Sequence, residues 1–184
     1  MKFVVGLLVV VAIVGVLAMV LYNRLVKLRN RCDSGWSAID VQLRRRYDLI
    51  PNLVETVKGY AKHEQGTLTA VIQARQAGLD ANSVAEQGKA ENMLTGALNK
   101  LFALSEAYPD LKADANFRAL QEEITSTEDK VAYARQYYNS AVLAYRNALE
   151  TVPTNVVANM FGFKPRDFFE ITEPEARGPV QVSF

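Results

Sequence analysis

The chain has little of what metal or nucleophilic catalysis draws on. It holds one cysteine and one histidine among 184 residues. The lone Cys32 can form neither an internal disulfide nor a cysteine metal cluster. The lone His63 is followed by Glu64 but not by the second histidine of H-E-x-x-H. Nor can it supply the two Glu-x-x-His pairs of a di-metal helical bundle. Arginines flank Cys32 in sequence and would lower its pKa, yet no histidine lies near to serve as its base. The 10 glycines are scattered, so no phosphate-binding loop forms. No tract shows sustained strand-like alternation with turn punctuation, and there is no internal repeat.

Charge is absent from Phe3 to Tyr22, where Val, Leu, Ile, Ala and Gly fill almost every place. Twenty helical residues reach about 30 Å, the thickness of a bilayer's hydrocarbon core. A transmembrane anchor is the reading that follows. A cleaved signal peptide is the rival, but its apolar core runs about 7–15 residues and ends in an A-x-A-like site. Ala18-Met19-Val20-Leu21-Tyr22 offers none. A lipoprotein is excluded because Cys32 lies well beyond the apolar run.

Residues 24–46 carry seven Lys/Arg against two Asp, net +5, and residues 47–184 are net −5. Arg24, Lys27, Arg29 and Arg31 are candidates for anionic lipid headgroups, each attracted by about 1 kcal/mol near the surface. The positive-inside rule then places the bundle in the cytoplasm beneath a single-pass anchor. Nucleic acid is a poor partner, because the basic stretch is short and no aromatic-interleaved basic face follows. No small-molecule substrate or cofactor is evident.

Beyond the anchor the periodicity is helical as far as Val152. The expected organisation is an anchor over 1–23, a basic stalk helix over 24–48, a bundle over 49–164 and an extended tail over 165–184. Pro51 should kink or break the helix near Asp48–Ile50. One helix then runs from Ile50 to Arg75 and ends at Gly78. Asn82-Ser83, with Glu86 after them, cap the next, whose buried face is Met93, Leu94, Ala97, Leu98, Leu101 and Leu104. Pro109 ends it and Asp114 caps the longest, striped by apolar residues from Phe117 through Leu149 to Val152. Thr154 caps a short helix that Gly162 terminates. The fold class is all-α: an anchor helix continuing into a stalk and an antiparallel bundle of three long helices plus a short one.

Arg46-Tyr47-Asp48-Leu49-Ile50-Pro51-Asn52-Leu53-Val54-Glu55-Thr56-Val57-Lys58-Gly59-Tyr60-Ala61-Lys62-His63-Glu64 resembles the hallmark of the LemA family of bacterial membrane proteins. So do Tyr108-Pro109-Asp110-Leu111, Asn116-Phe117-Arg118-Ala119-Leu120-Gln121, Thr127-Glu128 with Ala134 to Asn139, and Phe161-Gly162-Phe163. Tyr145-Arg146-Asn147 and Thr151-Val152-Pro153 depart from the pattern locally. The resemblance implies a single-pass helical protein of the bacterial inner membrane with no established enzymatic activity. It also implies an envelope role, with TPM-domain proteins as candidate partners.

Asn52, Tyr60, His63, Glu64, Asn116, Gln121, Thr127, Glu128, Arg135, Tyr138 and Asn139 lie on or beside the apolar stripes. Buried, they must find partners, either within the chain or across an interface. On the stalk, Leu25, Leu28, Cys32, Trp36, Ile39 and Leu43 recur at helical spacing. Left uncovered, they would mark a self-association surface and a homo-oligomer. The leading expectation is a non-enzymatic, self-assembling membrane scaffold. A monomeric adaptor for another envelope protein and a carboxylate-dependent hydrolase are the alternatives.

Overall fold

The computed structural model describes residues 1–171, all-helical and without a strand among them. The helices are α1 Lys2–Tyr60, α2 Gln65–Asp80, α3 Val84–Ala107, α4 Pro109–Ala113, α5 Ala115–Glu150 and α6 Thr154–Met160. The chain divides into two compact units. Among the described residues, one takes Met1–Ile39 with Ala134–Asp167, and the other takes Asp40–Tyr133 with residues 168–171. Both α1 and α5 contribute to each.

Pro51 does not break α1. It has no N–H to offer the carbonyl of Tyr47, four residues before it. The Nε of Arg75, on α2, donates to that carbonyl at 2.8 Å instead. The break falls at residues 61–64, just after Gly59, a weak helix former. Glu64 N–H closes a turn on Ala61 O at 3.1 Å. The expected helix over 50–78 is therefore the end of α1 and most of α2. Gly78 is interior to α2 rather than its cap. A Cβ there would lie 2.7 Å from Cζ of Tyr47, so glycine is what lets α1 and α2 approach.

Ser83 caps α3 as read: its Oγ accepts from Glu86 N–H at 3.2 Å, and Glu86 Oε2 accepts from Asn82 N–H at 2.9 Å. Leu94, Ala97, Leu98 and Leu101 are buried, but Met93 is exposed and Leu104 half-buried. Gln87 and Glu91 take inward positions instead. Pro109 opens α4 at a position where a missing N–H costs nothing. Asp114 caps α5, its Oδ1 accepting from Phe117 N–H at 2.8 Å.

On α5 the buried residues Phe117, Ile124, Val131, Tyr138 and Tyr145 recur every seven positions, as do Thr127, Ala134, Ala141 and Ala148. A seven-residue seam drifts slowly around a helix of 3.6 residues per turn. By the end of α5 the buried position is Ala148, while Leu149 is half-buried and Val152 exposed. Thr154 is the first residue of α6, with Pro153 in the capping place, and is itself buried. Gly162, at φ +68°, ends α6.

The stalk stripe is largely covered within the chain. In the first unit Leu25, Cys32 and Ile39 are buried, and in the second Leu43 is buried; Leu28 and Trp36 are half-buried. In the first unit the later part of α5 supplies cover: the Tyr138 ring lies 5.5 Å from that of Trp36. Residues 163–171 have no regular structure, yet Phe169 is fully buried. The rest of the expected tail lies outside the described residues.

Candidate functional site

The densest polar cluster is in the second unit, where α1 meets α3. Arg46 and Tyr47 are adjacent on α1, and Gln87 and Glu91 are one turn apart on α3. Arg46 is 2% exposed, Tyr47 3% and Glu91 0%. Arg46 Nη1 donates to Glu91 Oε2 at 3.0 Å, and its Nη2 donates to Thr95 Oγ1 at 3.2 Å. That same nitrogen lies 3.4 Å from Glu128 Oε2 on α5. The Tyr47 hydroxyl donates to Glu91 Oε1 and accepts from Gln87 Nε2 at 2.6 Å. Only Nε of Arg46 is buried without a partner in this group.

The environment sets the protonation of both acids. Burial, then the charge of Glu91, push the Tyr47 phenol far above its usual range, so it remains a donor. Burial pushes the Glu91 carboxyl up, while Tyr47, Arg46 and Gln87 draw it back. The bonds of Arg46, Tyr47, Gln87 Nε2 and Glu91 run to other members of the cluster. What this arrangement does is tie α1, α3 and α5 together.

Two smaller pairs lie elsewhere in the same unit. Tyr60 donates to Asp114 Oδ2 at 2.9 Å, and Tyr108 donates to Glu64 Oε1 at 3.4 Å. The Asp114 carboxyl is held below its usual range, first by Phe117 N–H and then by Tyr60. An open groove between α1 and α2 is lined by Val54, Lys58, Leu68 and Ile72. In the first unit, the Tyr138 hydroxyl donates to Asp167 O at 2.8 Å, and Arg166 pairs with Asp33 at 2.7 Å. Burial raises the Tyr138 phenol to about 12 and also raises the Cys32 thiol.

The sequence-derived candidates scatter across these places. Glu128 joins the Arg46 cluster, Tyr60 and Glu64 join the smaller pairs, and Tyr138 holds the chain at Asp167. Thr127 is buried and donates to Ile124 O at 2.7 Å. Gln121 is half-buried, and its carbonyl accepts from Thr125 at 2.9 Å. Arg135 and Asn139 are half-buried and partnered. Asn52, Asn116 and His63 are exposed, His63 on the turn after α1. Arg24, Lys27, Arg29 and Arg31 are exposed, and the Arg29 guanidinium lies 5.5 Å from the centre of the Phe163 ring.

Sequence reasoning missed Arg46, counted only as juxtamembrane charge, together with Tyr47, Gln87 and Glu91. The signal was available for the first. Leu25, Cys32, Ile39 and Leu53 are buried on a seven-residue seam, and Arg46 occupies its remaining position. Among the described residues, no group of three or more His, Cys, Asp or Glu is placed to hold a metal ion.

Comparison with known proteins gives a consistent picture. The sequence profile of the LemA family matches residues 35–184. A magnetosome protein of Paramagnetospirillum magneticum, MamQ 2, is 25% identical over 193 residues, covering 91% of this chain and 71% of its own. Protein LemA of Metamycoplasma hominis is 27% identical over 157 residues, covering 83% and 70%. The MamQ of Magnetospirillum gryphiswaldense is 24% identical over 174 residues, covering 80% and 64%.

Proposed function

Starting from the fact that this chain belongs to the LemA family, we propose that it is a non-enzymatic membrane scaffold that self-assembles at the bilayer surface. One observation carries the reading: the buried polar groups that could suggest an active site, Arg46, Tyr47, Gln87 and Glu91, are spent on one another. The LemA family is not known as an enzyme family, and the names of the relatives denote a cell structure or the family itself rather than a reaction.

The anchor is the apolar start of α1, which is long and apolar enough to cross a membrane. The four basic residues after it favour a cytoplasmic bundle. With Leu25, Cys32 and Ile39 covered inside the chain, copies would meet through exposed helix faces, with half-buried Leu28 and Trp36 at their margin.

An adaptor for another envelope protein, TPM-domain proteins among the candidates, is favoured by exposed Tyr133 and Tyr137, at 78% and 52%. Aromatic side chains so exposed suit a protein interface. Light scattering coupled to size exclusion, on the full chain in mild detergent, separates the two readings. A defined oligomer is the expected result. A monomer at every concentration would remove the scaffold and leave the adaptor.

A further inference from the structure

The apolar run and the bilayer do not match in length once the protein's own cover is counted. Residues 3–17 are exposed throughout; beyond them Met19 and Val20 stay exposed, at 65% and 57%, while Ala18 is half-buried and Leu21 is buried. On the covered side the bare stretch is therefore about 22 Å long, against about 30 Å for the hydrocarbon core. Over the last turn of the run, protein covers one side of the helix and the other side stays bare.

That protein is the α6 region, in the same compact unit. The Tyr22 ring lies 4.9 Å from that of Phe161 and 5.6 Å from that of Phe163, both edge-on. These contacts fix the end of α6 at the depth where the apolar run stops. The surface there is apolar: Val152 is 79% exposed, Val156 58%, Met160 69% and Phe161 55%. Within α6, Val156 and Met160 are spaced by four, so they share one face, and Val152 is exposed in the turn before it. Thr154, Val157 and Ala158 are buried on the rest of the helix. No charged residue occurs from Thr151 to Phe163, and charge resumes at Glu150 and Lys164 on either side. On α1, Arg24, Lys27, Arg29 and Arg31 follow Tyr22 and are exposed.

We propose that α6 lies in the membrane interface beside the anchor, with the exposed face of Val152, Val156, Met160 and Phe161 in contact with lipid. The inference rests on α1 being a membrane span. Interfacial helices bury an apolar face about 5–10 Å into the headgroup–acyl boundary, close to the depth left uncovered by residues 3–17. Tyr22, Phe161 and Phe163 form the aromatic layer at that boundary, and the basic residues meet anionic headgroups above it. The protein thus touches the bilayer at two adjoining surfaces.

Depth-dependent fluorescence quenching tests this on the full chain in phosphatidylcholine–phosphatidylglycerol vesicles. In a Cys32→Ala background, an environment-sensitive fluorophore is attached at Val156→Cys, Met160→Cys, Val10→Cys, Val20→Cys or Ser140→Cys. Lipids carry a nitroxide near the top of the acyl chain or at its end. Labels at 156 and 160 are expected to be quenched by the shallow nitroxide as strongly as the label at 20, and the label at 140 is not. Quenching at 10 and 20, with 156 and 160 no higher than 140, would overturn the interfacial helix and leave the anchor. No quenching at 10 or 20 would overturn the anchor, and the inference with it. Circular dichroism of each labelled protein confirms that α6 variants retain their helix.

Discussion

Arg46 stands where the seam of α1 otherwise carries Leu25, Cys32, Ile39 and Leu53. A charge at such a position is costly unless paired, and Glu91, itself wholly buried, supplies the pair at 3.0 Å. Removing one partner leaves the other buried and alone. Arg46→Met or Glu91→Gln should each cost about 3–5 kcal/mol in thermal or denaturant unfolding. Arg46→Met with Glu91→Leu should recover much of that loss, because an apolar pair suits the same space. A double variant that loses as much as the two single losses added together would show that the two residues are not coupled. The position of Arg46 was legible as a charge on an apolar stripe. Its partner was not, since which acidic residue of α3 faces it depends on the register of two helices, and no local pattern encodes that.

Pro51 shows the same limit among elements. The missing N–H and the clash with the turn before it led to the expectation of a kink or break near Asp48–Ile50, and α1 runs through Pro51 as one helix. What the sequence hides is the answering donor on α2, Arg75, which occupies the vacated carbonyl of Tyr47. Replacing Arg75 with Met should destabilise the chain by about 1.5–3 kcal/mol, the range for hydrogen bonds to charged groups. In a Pro51→Ala background residue 51 regains its own donor, so the same replacement should cost less. Equal costs in the two backgrounds, measured by urea unfolding, would sever the link between Pro51 and Arg75. Helix starts were legible where a side chain does the capping locally, as at Ser83 and Asp114. The end of α1 was not, because the turn at residues 61–64 is held by backbone bonds and by burial of Ala61 on one side and Leu68 on the other.

At the scale of the whole chain, the all-helical fold, the apolar first segment and the family were readable from residue order alone. The coverage of the stalk was not. It depends on which residues of the later part of α5 meet the stalk, Tyr138 against Trp36 among them, a matter of helix register that no local pattern encodes. One consequence concerns sulfur. The chain has a single thiol, Cys32, 1% exposed, and burial raises its pKa, so little thiolate is available to any oxidant or alkylating agent. In the folded protein, modification must wait for the helices around Cys32 to part. Reaction with a maleimide in detergent should run about a hundredfold or more slower than in denaturant, the factor for an opening free energy of about 3 kcal/mol. Equal rates would mean that the helices part freely. The native chain thereby carries its own clock for local opening, and its only thiol stays chemically silent in oxidising and reducing surroundings alike.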